Sequence, residues 1–222
     1  MNNIKTFENF NDQDIFTYID NGDMQLVKNY INSGYDLNIQ DNYGDTPLIF
    51  ASRCDNIEIF KLLLNAGVDL NKQSDSGYTA LIFAASNNKL EIFKLLLSAG
   101  ANINIQDNYG YTALIKAVFW EYIEIVKLLL NNGADIDKQD DSGNTALIIA
   151  AYNNNREIIE LLLDYCADEF ILDVDNKSFY DCLNDENKQY FTQKYPTSVY
   201  NAISHWYKKS FTEFVKDYNI KN

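Results

Sequence analysis

A repeat spacing of 33 residues constrains this chain more than anything in its composition. The stretch from Asp107 to Gln139 slides back onto Ser74 to Gln106, back again onto Asp41 to Gln73, and forward onto Asp140 to Leu172. Gly44, Gly77, Gly110 and Gly143 superpose, as do Thr46, Thr79, Thr112 and Thr145, and the leucine triplets at 62–64, 95–97, 128–130 and 161–163. Self-similarity at one fixed spacing specifies a stack of like supersecondary units rather than a globular enzyme fold.

Each unit reads as two helices and a turn. Thr46 suits an N-cap, and Pro47 suits the first helical position, where the N–H it lacks has no partner. Leu48, Ala51 and Ser52 give the first helix a small apolar face that permits close packing. After Asp55-Asn56, the i, i+3, i+4 spacing of Ile59, Leu62 and Leu63 predicts an apolar stripe on a second helix. Gly67 follows where a left-handed residue ends a helix at low cost. A polar turn around Ser76-Gly77 returns the chain.

Helix, helix and turn at this period resemble the ankyrin repeat. The family pattern is a glycine, then Thr-Pro-Leu-His-x-Ala-Ala, a Leu-Leu-Leu helix, and Gly-Ala-Asp-x-Asn. It stands here as Gly44-Asp45-Thr46-Pro47-Leu48-Ile49-Phe50-Ala51 and Leu62-Leu63-Leu64-Asn65-Ala66-Gly67-Val68-Asp69-Leu70-Asn71, and it recurs four times in register. One departure is constant. Ile49, Ile82, Ile115 and Ile148 occupy the slot of the family's histidine, a structural hydrogen-bonder, and move each unit toward apolar packing. The resemblance implies an all-α solenoid of helix-turn-helix units with β-turn or hairpin loops. It also implies a non-enzymatic protein that binds a partner protein through a concave face, made of turn tips and the exposed side of each first helix. Asn38, Asn71 and Asn104 fall at a position that can be hydroxylated in the family; their favoured reading is as braces for the turn.

Residues 8–195 read as one repeat domain with units at about 8–40, 41–73, 74–106, 107–139 and 140–172 and a degenerate unit at 173–195. The first unit departs from the pattern, as terminal repeats do, with Ile15, Tyr18 and Ile19 on one helix and Leu26, Val27, Tyr30 and Ile31 on the next. The fifth breaks down at its end. Cys166 stands in the glycine slot and Glu169 in the apolar slot of Leu37, Leu70, Ile103 and Ile136, so a rebuilt turn is expected there, with Phe170 or Ile171 taking over. In the sixth, Ser178, Tyr180 and Leu183 take the Thr, Leu and Ala slots. Beyond Pro196, residues 196–222 carry four lysines against two acids on a helical pattern of aromatics, and read as a C-terminal helical cap or tail.

The net charge of −14, from 32 acidic and 18 basic residues, argues against nucleic acid, whose binders need a basic footprint. Cys54, Cys166 and Cys182 are odd in number and lack CxxC spacing, which reads as reduced thiols in an intracellular, cytoplasmic protein. No secretory signal is visible in Met1 to Phe10, and no run approaches the ~18 apolar residues of a membrane span.

Chemistry is scarce. His205 is the only histidine, which argues against a histidine metal site; no nucleophile signature or phosphate loop is present, and no cofactor is expected. Residues 173–222 are too few to build an active-site fold alone. The turn acids Asp41, Asp75, Asp107, Asp140 and Asp141 read as solvated residues that hydrogen-bond local backbone rather than as a cation site.

The repeat register then picks the partner-facing positions: Tyr43, Asp45 and Arg53; Asp75 and Tyr78; Tyr109, Tyr111, Phe119 and Trp120; Asp141, Asn144 and Tyr152. The pair Phe119-Trp120 stands where other units carry Arg53-Cys54, Ser86-Asn87 and Tyr152-Asn153, and Ala117 and Val118 already hold the packed positions of that helix. Trp120 and Tyr111 are therefore expected at the centre of the interface. The acids Asp75, Asp107 and Asp141 favour a partner with a basic segment, bound by a monomer. A second reading is an adaptor whose repeats hold a target while the tail recruits a second protein. The identical stretches at 39–44 and 105–110 also admit two readings: a duplicated two-repeat block, or Tyr43 and Tyr109 gripping one extended partner at two points.

Overall fold

The computed structural model describes residue 11 and residues 13–194. The arm at 1–7 and the cap or tail at 196–222, with Pro196 and His205, lie outside the described residues. The chain divides into two compact units, Met1–Asp135 and Ile136–Asn222. The first holds α1 (Asp14–Asp20), α2 (Met24–Asn32), α3 (Pro47–Cys54), α4 (Ile57–Asn65), α5 (Ala80–Ser86), α6 (Leu90–Ser98), α7 (Ala113–Phe119) and α8 (Ile123–Asn131). The second holds α9 (Ala146–Tyr152), α10 (Arg156–Asp164), α11 (Phe179–Cys182) and α12 (Asp185–Lys194). No strand occurs among the described residues.

The first helices start as their sequence dictates. Thr46, Thr79, Thr112 and Thr145 each accept the backbone N–H three residues on, and Pro47 occupies the first turn of α3. The isoleucines that follow, Ile49, Ile82, Ile115 and Ile148, are sealed in the core, so the slot of the family's histidine is closed and apolar. In the first unit α3 packs between α1 and α5, and α5 against α7. Ala51, Ser52, Ala84, Ala85 and Ala117 are buried on these helices, where small side chains let backbones approach.

The stripe on each second helix differs from the expected one. Ile59, Phe60 and Leu63 are buried, as are Ile92, Phe93 and Leu96, and Ile125, Val126 and Leu129, whereas Leu62 is half-exposed. The packed face is centred between the first and second residues of the motif, so the i+1 aromatic or branched side chain displaces the i+3 leucine. In the first repeat the same kind of correction applies: Phe16 is buried with Ile15 and Ile19, while Tyr18 is half-buried.

Two rows of side-chain amides tie successive turns. The Nε2 group of Gln40 donates to the carbonyls of Gly44 (2.7 Å) and Gln73 (2.9 Å). Gln73 does the same to Gly77 (2.7 Å) and Gln106 (2.8 Å). Asn38, Asn71 and Asn104 accept the backbone N–H of Asp69, Asn102 and Asp135 at 2.7, 2.8 and 2.8 Å, which is the bracing role. In the second unit Gln139 reaches the carbonyls of Gly143 and Leu172, and Asp137 accepts from Asp168.

The expected rebuilding at 164–172 does not occur. Cys166 keeps the left-handed backbone (φ 62°). Its N–H bonds the carbonyl of Leu163 and that of Ala167 bonds Leu162, the pairing that Gly100 and Ala101 make with Leu97 and Leu96. Glu169 is tolerated because its slot is only half-buried in every repeat, so the side chain keeps access to water; Phe170 is exposed rather than substituting for it. In the sixth repeat Ser178 opens α11 with a capping box to Asp181, and Leu183 is buried.

Candidate interaction surface

The turn tips are built on one carboxylate, except in the third repeat, where the Ser74 hydroxyl accepts from the Tyr78 N–H instead. Asp107 Oδ1 accepts the N–H groups of Tyr109 and Tyr111, both at 2.9 Å. Asp41 serves Tyr43 and Asp45, and Asp140 serves Ser142 and Asn144, in the same way. Asp107 and Asp140 are buried, which corrects the expectation of solvated acids: two backbone donors replace water on each carboxylate. Asp75 and Asp141, one position on, are exposed. Within the first unit the tips stack directly. Asp75 N–H bonds the carbonyl of Tyr43 (3.1 Å), and a Cβ at Gly44 would lie 2.4 Å from the Asp75 nitrogen, so no side chain fits there. The tips push Tyr43 and Tyr109 outward, 71% and 65% exposed.

Behind the tips of the first unit the predicted contacts divide. Asp45 is buried and paired with the exposed Arg53 at 2.5 Å, so it buttresses that arginine instead of facing a partner. Burial raises its carboxyl above the ordinary range against the opposing pull of Arg53. Tyr78 and Tyr111 are half-buried and joined by Lys116. The Lys116 ammonium lies 4.0 Å from the Tyr111 ring centroid, 5.1 Å from that of Tyr78 and 3.0 Å from Asp107 Oδ2. Burial pushes its pKa down, but the Tyr78 hydroxyl and the Asp107 carboxylate outweigh this and raise it. Sequence reasoning passed over Lys116. Its signal was legible as a lone lysine in a row otherwise filled by Phe50, Phe83 and Ile149.

Phe119 ends α7 and Trp120 is its C-cap residue. The two rings meet edge to face, with centroids 5.1 Å apart at 82°. Ala117 and Val118 are fully buried, and the helix geometry leaves Phe119 and Trp120 48% and 53% exposed. Glu121 follows with a left-handed backbone (φ 60°), at the position of Gly22, Asp55 and Asn88 in the preceding repeats.

In the second unit Asp141 is exposed, and Asn144 is half-buried with its side-chain amide donating to Asp140 Oδ2. Tyr152 is exposed at its ring but tethered at its hydroxyl, which donates to Asp173 Oδ2 (3.1 Å). Its hydrogen bond with Cys182, its burial and the Asp173 carboxylate together hold that hydroxyl protonated well above the usual tyrosine range. Burial likewise raises the Cys182 thiol.

Elsewhere in the first unit, a polar depression of about 500 Å³ is lined by Asp55, Asn87, Lys89 and Glu91 among others, and a Lys89–Asp55 ion pair (3.0 Å) crosses it. Among the described residues no group of three His, Cys, Asp or Glu side chains could hold a metal ion, and no helix is long and apolar enough to cross a membrane.

A family model for ankyrin repeats in three copies matches residues 15–107, 69–140 and 99–177. No curated protein sequence matches the chain. Ankyrin repeats generally mediate protein–protein interaction, and the proteins that carry them are generally non-enzymatic scaffolds. The period, the threonine caps, the paired helices and the left-handed turn residues all coincide with that match: the chain belongs to the ankyrin repeat family.

Proposed function

We propose that this chain is an intracellular, non-enzymatic binding protein. In the first unit, the face carrying the turn tips and the ends of the first helices grips a partner protein. One observation carries the reading: Phe119 and Trp120 are two large aromatics left half in solvent at the end of a helix whose other apolar positions are fully buried. Truncating an aromatic hot spot of this kind costs about 2 kcal/mol or more of affinity. Tyr111 is a supporting neighbour, its ring stiffened by Lys116, and Tyr43 and Tyr109 extend the contact along the tips. Asp141, Asn144 and Tyr152 are proposed contacts of the second unit. With a net charge of −14, the partner segment is basic, and opposite charge speeds its encounter.

The test uses the full chain immobilised as wild type and as Trp120→Ala, with proteins captured from the source cell quantified by mass spectrometry. The reading expects at least one protein captured by wild type and depleted on the variant. Identical capture profiles would contradict it.

A further inference from the structure

The first unit already shows how this face treats a cation. Lys116 lies over two tyrosine rings, at 4.0 Å from the centroid of Tyr111 and 5.1 Å from that of Tyr78, with a buried carboxylate beside it. That aromatic pair is filled from within the chain. A second aromatic corner stands a few residues on, where the Trp120 indole meets the edge of Phe119 and remains 53% exposed.

The residue after the indole is an acid in an unusual backbone. Glu121 adopts φ 60°, a conformation that glycine takes freely and that aspartate and asparagine tolerate better than long side chains. The preceding repeats follow that preference with Gly22, Asp55 and Asn88 at the same position. The left-handed residue belongs to this turn in each of the first five repeats, Asn154 (φ 53°) included, so what sets Glu121 apart is its long acidic side chain. Here it sets a carboxylate next in sequence to an exposed indole, on a chain of net charge −14.

Resting on the reading of this face as a protein-binding surface, we infer that the Phe119–Trp120 corner receives an arginine side chain from an extended basic segment of the partner. The guanidinium lies flat over the indole, and its edge is turned to Glu121. Arginine fits better than lysine for two reasons. Its planar group stacks on an aromatic face with little loss of hydration, and its fork of N–H donors can bond a carboxylate while stacked. Tryptophan is the strongest of the aromatic partners for a cation.

The test titrates capped hexa-arginine and hexa-lysine peptides into the full chain by calorimetry at low salt. Wild type, Trp120→Ala, Trp120→Leu and Glu121→Gln are compared, and circular dichroism verifies each fold. Trp120→Leu keeps an apolar side chain without the indole quadrupole and serves if the alanine variant does not fold. Hexa-arginine should bind wild type about tenfold more tightly than either tryptophan variant, and Glu121→Gln should weaken it about threefold. Hexa-lysine should bind wild type more weakly and respond less to both changes. Equal hexa-arginine binding by wild type and Trp120→Leu would overturn the inference, as would equal binding of the two peptides throughout, which marks a diffuse acidic surface. If that happened while Trp120→Ala still lost its captured natural partner, the arginine assignment would fall and the protein-binding reading would stand.

Discussion

The ammonium of Lys116 sits 3.0 Å from Asp107 Oδ2, on a carboxylate whose other oxygen holds the backbone of its own turn tip. One lysine thereby links the first helix of the fourth repeat to the turn that presents Tyr109 and Tyr111. Removing the cation while leaving the carboxylate buried is costly. Lys116→Met should lower stability in urea melts by about 2–3 kcal/mol, near the low end for broken buried pairs because Lys116 keeps some solvent access. Adding Asp107→Asn, which still offers an oxygen to the two N–H groups, should recover most of that loss.

Cys166 holds a left-handed backbone that a glycine would adopt without strain. Cys166→Gly should therefore raise stability by about 0.5–1 kcal/mol, the relief of the Cβ clash offset in part by greater freedom of the unfolded chain. A urea midpoint equal to or below that of wild type would show that the Cβ is not strained there.

Gln73 donates from one amide nitrogen to two backbone carbonyls, Gly77 and Gln106. Gln73→Ala should cost about 1 kcal/mol. Gln73→Glu should cost more, because a carboxylate has no proton to give and sets negative charge against both carbonyl oxygens. Glutamate and alanine variants of equal stability in urea would contradict the two-carbonyl geometry.

Glu160 on α10 accepts hydrogen bonds from Lys194 (2.6 Å) and Tyr190 on α12. Burial pushes its carboxyl up, but these two partners outweigh it and hold the pKa below the ordinary 4.5. Since the folded value is the lower one, the stabilisation is complete above pH 4.5 and is lost as pH falls through the folded value. Glu160→Gln should cost about 0.5–1 kcal/mol at neutral pH, as expected for a partly exposed pair. The gap between variant and wild type should narrow in urea melts as pH falls from 4.5 through the lower folded value.

Much of the fold was legible because each repeat states it again. Thr46, Pro47 and Gly67 announce helix boundaries through local backbone chemistry that needs no tertiary context. The turn at Cys166 lacked that context: spacing alone does not reveal that the Glu169 slot is only half-buried in every repeat. Asp45 and Asp107 were misplaced as surface residues for a related reason. An aspartate looks solvated in sequence, but a turn that aims two N–H groups or an arginine at it makes burial affordable. The exposure of Trp120 was legible, since Ala117 and Val118 already fill the packed side of α7. The stack of Lys116 on Tyr78 and Tyr111 required the stagger between successive repeats.

The most direct measurement is the equilibrium affinity of the captured partner for wild type, Trp120→Ala and Phe170→Ala. Phe170 is as exposed as Trp120 but follows a second helix and is not among the proposed contacts. The account predicts a loss of at least ~30-fold for Trp120→Ala, the equivalent of ~2 kcal/mol, with Phe170→Ala unchanged. A correctly folded Trp120→Ala protein that binds at wild-type strength would contradict it.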